Sequence, residues 1–177
     1  ARMTDSVVDR YLRPGTLQLA GSPPLSVYVH LPWCLKKCPY CDFNSHELGR
    51  GGRDEVALPE ARYLDALRAD LEASLPLVWG RTVRTVFIGG GTPSLFSPEG
   101  IARLLSDLRA LLPLAPGCEV TLEANPSSVE AERFRDYRAA GVNRPSLGIQ
   151  SFDDAMLAKI GRIHGGDEAR RAIDAAR

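Results

Sequence analysis

Four times along this chain a strand-like run leads into a loop and then into a stretch with helical period, and that order restricts the fold more than any other feature. Leu25–Leu31 alternates, with Val27, Val29 and Leu31 against Ser26, Tyr28 and His30, the period of a half-buried strand. Further strands are read at Thr82–Ile88, Glu119–Glu123 and near Asn143–Gln150. The first helix is read from Pro59, with Leu64, Leu67, Leu71 and Leu75 on one stripe, and is expected to end before Pro76. Ser97 and Pro98 open the next, which buries Ile101, Leu104, Leu105, Leu108 and Leu112. Ser127 and Glu130 form a capping box for a third helix, stopped by Gly141; a short helix about Asp154–Ile160 and a last one from Asp167 follow. Such alternation predicts the α/β class, with parallel strands joined by right-handed crossovers and functional loops at the carboxyl ends of the strands.

Four strand–helix units are half of an eight-unit barrel, which takes about 250 residues. The expectation is therefore a partial TIM-type barrel. Residues 1–24, with Pro14, Gly15, Gly21, Pro23 and Pro24, read as an irregular leader, and 25–177 as the N-terminal half of a core domain. The chain opens on Ala1 and ends at Arg177 inside a helical pattern with no stop signal, as a piece of a longer chain would. A half barrel is expected to leave open strand edges and an uncovered apolar face.

Composition narrows the function classes. With 44% hydrophobic and 25% charged residues in 177, the chain reads as a soluble globular domain. Its 22 Lys and Arg balance its 22 Asp and Glu, so no global field recruits nucleic acid or anionic lipid. No apolar run reaches the roughly 20 residues of a membrane helix, and no signal peptide opens the chain. The expected setting is cytoplasmic, without membrane integration or nucleic-acid binding. Four cysteines, three of them within eight residues, are too few and too clustered for a disulfide framework and favour a metal or redox role.

Cys34, Cys38 and Cys41 follow the first strand as Cys-x3-Cys-x2-Cys. Pro39 has no amide proton and biases Cys38 away from helical geometry, so the segment is a loop that can wrap its sulfurs around a cluster. A cubane commonly takes four cysteines; three leave one iron open to a small molecule carrying an amine and a carboxylate. Zinc with His30 or His46 as fourth ligand is the rival reading, and inert core thiols the third. The run Gly89-Gly90-Gly91-Thr92-Pro93-Ser94 lacks a P-loop ending and a dinucleotide spacing. It can still admit a ligand to bare backbone, its carbonyls meeting an ammonium group, or it is a tight turn only. Glu123 and Gln150 end the third and fourth strands, and Arg162 lies on the following loop; each alone would read as a surface or capping residue. Residues 44–58 read as a solvated glycine-rich connection, Cys118 as a residue without a role, and His30 and His164 as hydrogen-bonded structural histidines.

Taken together, Tyr28-x-His30-x-Pro32-x-Cys34-x3-Cys38-x-Tyr40-Cys41, Gly89–Ser94, Glu123-Ala124-Asn125-Pro126, Gly148-x-Gln150-Ser151-Phe152 and Gly161-Arg162-x-His164 form an ordered set. Over about residues 25–177 the chain resembles the radical S-adenosylmethionine (SAM) enzymes of the oxygen-independent coproporphyrinogen III oxidase family. The resemblance implies a [4Fe-4S] cluster on Cys34, Cys38 and Cys41, with SAM chelating the fourth iron. It places Gly90, Gly91 and Thr92 at the methionine end, Tyr40 by the adenine, Tyr28 near the sulfonium, and Glu123, Gln150 and Arg162 along the cofactor pocket. One electron from the cluster would then release methionine and a 5'-deoxyadenosyl radical. True oxidases of the family carry a further cysteine where this chain has Phe43, and the Cys41-Asp42-Phe43 ending is similar to the heme chaperone branch. That branch implies heme or porphyrin as cargo, a heme-accepting protein and an electron donor. The alternatives are an oxidase that decarboxylates coproporphyrinogen III and, in another class, a zinc-binding structural module. Pro145 stands where the family has an aliphatic residue and is expected to disturb the fourth strand.

Overall fold

A computed structural model describes residues 20–48, 58–127 and 132–177. Most of the expected leader (1–19), residues 49–57 of the glycine-rich connection, and Glu130 with its capping box lie outside the described residues. The elements run β1 (Leu25–Leu31), β2 (Trp33–Cys34), β3 (His46–Glu47), α1 (Glu60–Val78), β4 (Val83–Gly90), α2 (Pro98–Leu111), β5 (Leu114–Ala124), α3 (Phe134–Ala140), β6 (Arg144–Leu147), α4 (Asp154–Lys159) and α5 (Gly166–Ala176). A single 3-10 turn, Pro93–Leu95, joins β4 to α2. The strands β1, β4, β5 and β6 form one parallel sheet in that order, so the expected parallel α/β arrangement is present.

Alternation decides which face is covered. Val29 and Leu31 of β1, Val86 and Ile88 of β4, and Val120 and Leu122 of β5 are buried in one cluster with Leu64 of α1, Ile101, Leu104, Leu105 and Leu108 of α2, and Tyr137 of α3. α1 packs on α2, and α2 on α3. The stripe predicted for α2 is its observed buried face, and Ser97 caps it by accepting from Gly100 N at 2.9 Å.

The opposite face corrects the expectation of an uncovered apolar surface. Register places Ser26 against Thr85, Tyr28 against Phe87, Thr85 against Glu119, and Thr121 against Arg144. Thr85 Oγ1 donates to Ser26 Oγ at 2.8 Å, and Arg144 pairs with Glu119 at 2.8 Å. Among the described residues, the stacked rings of Tyr28 and Phe87, 6.2 Å apart, give this face its apolar character. With the aliphatic residues all sent toward the helices, the intervening positions are free to be polar.

Several boundaries differ from expectation. Pro59 is the cap rather than the first helical residue of α1, and the helix continues through Pro76 to Val78. Pro76 falls within the last turn, where little of the hydrogen-bond ladder remains to be broken. β4 extends through Gly90, so the first two glycines belong to the strand. β5 begins at Leu114, ahead of the expected start at Glu119; the register jumps across Pro116-Gly117, from Val83–Leu114 to Thr85–Glu119, with Gly117 at φ 71°. β6 has only four residues; Pro145, exposed and opposite Leu122, sits on an edge strand of this sheet, where a missing donor is tolerated. The parallel pair β2–β3 had no sequence signal. Among the described residues no helix is long and apolar enough to cross a membrane.

Candidate metal and cofactor site

The cysteine loop leaves the carboxyl end of β1 and is fastened at both ends. At its start the Trp33 ring meets Tyr63 of α1 edge-on at 4.6 Å and lies 5.8 Å from Phe96, while the Tyr63 hydroxyl donates to His30 O at 2.8 Å. At its end His46 N donates to Pro32 O at 2.7 Å and Leu48 N to Cys34 O at 2.8 Å, which is the β2–β3 pairing. Between them Lys37 Nζ donates to Phe43 O at 3.1 Å and Ser45 O at 3.3 Å, and Cys41 N to Cys38 O at 3.0 Å. His30 holds the loop from below. Asn44 O accepts at 2.7 Å, so His30 Nε2 carries the proton, and the Tyr28 hydroxyl donates to His30 Nδ1 at 2.9 Å. Both ring nitrogens are therefore occupied.

Cys34 is buried, Cys38 and Cys41 are half-buried, and none forms a disulfide. Burial pushes the Cys34 thiol above its ordinary value, opposed by hydrogen bonds from Thr92 and Ser45.

The glycine run crosses directly over this loop. Gly91 N donates to Leu31 O at 2.8 Å and Thr92 N to Trp33 O at 2.7 Å. A β-carbon on Gly91 would lie 2.5 Å from Trp33 O, and one on Gly90, where φ is 118°, would lie 2.7 Å from the His30 ring. The glycines thus permit contact between two backbones as well as access for a ligand. Gly90 N donates to Glu123 Oε2 at 3.2 Å. With these three amides spent inside the protein, the loop can meet a ligand with acceptors rather than with backbone donors.

Glu123 lies at the end of β5, its carboxyl raised above the ordinary range by burial and lowered in part by the Gly90 amide. Arg162, from the turn between α4 and α5, reaches across to the other loops. Its Nη1 donates to Cys38 Sγ at 3.5 Å and its Nη2 to Asn125 Oδ1 at 2.8 Å and to Gly148 O, while Nε is buried with no partner among the described residues. Asn125 Nδ2 donates in turn to Thr92 Oγ1 at 3.2 Å. Gln150 has φ 69° and is the one described non-glycine residue with positive φ. It is the centre of a three-residue turn in which Ser151 N donates to Ile149 O at 2.9 Å. Buried His164 donates to the same carbonyl through Nε2 at 3.1 Å, in keeping with a structural histidine.

A cavity of about 350 Å³ joins these parts. Cys34, Cys38, Tyr40, Cys41, Gly90, Gly91, Thr92, Glu123, Gln150 and Arg162 all line it, with Phe43 and Ile163 exposed at its rim. Tyr28 is not in the lining; its hydroxyl is on His30. Asn125 lines the cavity, yet as a short amide after a strand it gave no signal beyond its place in the Glu123–Pro126 run. Lys37 and Ser45, which brace the cysteine loop, gave none.

The donor set fits an iron-sulfur cluster. Three thiols face one cavity, with Arg162 donating to the Cys38 sulfur and the Thr92 and Ser45 hydroxyls supporting the Cys34 thiolate. Among the described residues no three His, Cys, Asp or Glu side chains converge on a single metal-ion position. His30, with both nitrogens engaged, does not supply a fourth zinc ligand.

Comparison with known proteins follows the same line. The family model described as the Radical SAM superfamily matches residues 28–177. The heme chaperone HemW of Escherichia coli (strain K12) is 54% identical over 154 residues, covering 87% of this chain and 39% of that protein. HemW of Haemophilus influenzae is 48% identical over 159 residues, covering 88% and 40% respectively. The solved structure of coproporphyrinogen III oxidase (HemN) from Escherichia coli, described as a radical SAM enzyme, has a TM-score of 0.74 at 31% identity and covers 87% of this chain and 34% of its own. The chain spans about 40% of the length of the curated relatives it matches.

Proposed function

The chain belongs to the radical SAM superfamily, and on that premise we propose that it is the N-terminal half, over 25–177, of the core domain of a cytoplasmic heme chaperone. The family implies a [4Fe-4S] cluster and SAM. In the proposed site Cys34, Cys38 and Cys41 hold three irons. When bound, the cluster supplies an electron to the sulfonium of SAM.

The residues of this chain bind and orient. Gly90, Gly91 and Thr92 receive the methionine end; Glu123, Gln150 and Arg162 line the pocket; Tyr40 lies by the adenine, and Tyr28, outside the lining, holds His30 beneath the cysteine loop. Arg162 brings a fixed positive charge to the Cys38 sulfur and, through Asn125, to the loop after β5. The apolar rim of Phe43 and Ile163 helps to exclude water from the cavity.

The single observation that carries this reading is the meeting of the three thiols, the glycine run and Arg162 around one cavity. Phe43 at that rim and the 54% identity to a heme chaperone favour heme as cargo over oxidation of a porphyrinogen. The likeness to the HemN structure supports the second reading, a coproporphyrinogen III oxidase. The test is anaerobic reconstitution of the full-length protein and its Cys38→Ala variant with iron and sulfide. Wild type is expected to show a reducible cluster by electron paramagnetic resonance, and the variant to lose it. One zinc per chain with no reducible cluster overturns the proposal. Conversion of coproporphyrinogen by the loaded protein with SAM and reductant replaces the chaperone with the oxidase.

A further inference from the structure

The contacts around Asn125 form one continuous belt. Arg162 Nη1 donates to Cys38 Sγ at 3.5 Å, Arg162 Nη2 to Asn125 Oδ1 at 2.8 Å, and Asn125 Nδ2 to Thr92 Oγ1 at 3.2 Å. The Thr92 hydroxyl lies beside the Cys34 thiol and works against the rise in pKa that burial imposes on it. The belt's ends are two of the three clustered thiols, and its members come from four separate loops at the carboxyl end of the sheet.

Both ends of the Asn125 amide are committed, and their order matters. A guanidinium only donates, so the side facing Arg162 must be the carbonyl and the side facing Thr92 the amine. Because the Thr92 oxygen accepts a hydrogen bond from Asn125, its own hydrogen is free to point at Cys34. An aspartate at 125 would accept from both neighbours and turn the Thr92 hydroxyl away from the sulfur.

We infer that Asn125 is a positioning residue that aims Arg162 at Cys38 and Thr92 at Cys34, and so sets the reduction potential of the cluster these cysteines hold. The inference rests on the cluster reading given above. Reduction adds negative charge that spreads onto the ligating sulfurs; donors aimed at those sulfurs stabilise the reduced form and raise the potential. Loosening the belt lowers it. Asn125 acts through Arg162 and Thr92, without needing to touch an iron itself.

The experiment is a redox titration of the full-length protein, reconstituted without SAM and followed by electron paramagnetic resonance. Wild type is compared with Asn125→Ala, Thr92→Val and the double variant, with iron and sulfide measured for each. Each single variant is expected to lower the reduced-to-oxidised ratio at the wild-type midpoint about tenfold, which is about 59 mV for one electron. The double variant is expected to shift by less than the sum, because both changes break one belt. Fully loaded variants at the wild-type midpoint, or strictly additive shifts, overturn the inference. If Asn125→Ala does not hold a cluster, Thr92→Val decides alone, an unchanged midpoint refuting the belt. A wild type without a reducible cluster sinks the site reading itself, an outcome visible before any variant is compared.

Discussion

Replacing Gly91 by alanine tests whether the glycine run is there to let two backbones touch. The added β-carbon would lie 2.5 Å from Trp33 O, 2.7 Å from Pro32 C and 2.8 Å from Trp33 C, and ordinary contact begins at 3.4 Å, so the strands must part by about 0.9 Å. All three neighbours are backbone, and none can rotate away. Overpacking of this kind costs roughly 1–3 kcal/mol. Parting also weakens the bonds from Gly91 N to Leu31 O and from Thr92 N to Trp33 O, each worth about 1 kcal/mol net. The sum is about 3 kcal/mol, a large share of the roughly 5–15 kcal/mol that stabilises a domain, and should lower Tm by several degrees. Because the clash is with the residue just before Cys34, iron bound per chain after reconstitution should fall as well. Gly21→Ala, whose β-carbon meets nothing within 4 Å, is the control. Circular dichroism melts and iron analysis on the full-length protein read both effects. A Gly91→Ala protein that melts within about 2 °C of wild type and binds iron normally would refute the reasoning.

Two further expectations concern the support of the site. Tyr137 is buried under the 3-10 turn, its hydroxyl shared between Ser94 O at 2.9 Å and Phe96 O at 2.8 Å; Tyr137→Phe should cost about 1–3 kcal/mol, read as a lower urea midpoint, and an unchanged midpoint would discard the role. Glu123 has a carboxyl raised by burial, so the unfolded chain ionises at lower pH than the folded one. Its contribution to stability is full below the unfolded value and is lost as pH rises through the folded one. Glu123→Gln keeps an acceptor for Gly90 N and should flatten this part of the stability profile in apo protein; urea midpoints that keep the wild-type slope above the ordinary carboxylate range would contradict it.

The strand–helix order was legible because aliphatic period survives in each element, from Val27, Val29 and Leu31 in β1 to Ile101, Leu104, Leu105 and Leu108 in α2. Boundaries were less so. Pro76 and the Pro116-Gly117 pair are breakers by local propensity, and packing carries the helix and the strand past them. The site was legible where chemistry needs a rare residue: three cysteines, three glycines in a row, an arginine after a turn. It was opaque where common residues act by position. Asn125, Lys37 and Ser45 are short or flexible polar side chains of a kind found in any loop; Asn125 gains its partners only where separate loops converge, and Lys37 and Ser45 gain theirs as the cysteine loop folds back on itself. The polar open face was likewise hidden, since alternation shows that a second face exists and not what will cover it.

Gln150 carries a consequence for how this region tolerates change. A left-handed glutamine costs of order 1–3 kcal/mol that glycine would not. Glycine there would make the loop after β6 easier to fold and would take an amide from the cavity wall. Selection for thermal robustness alone would therefore favour glycine at 150.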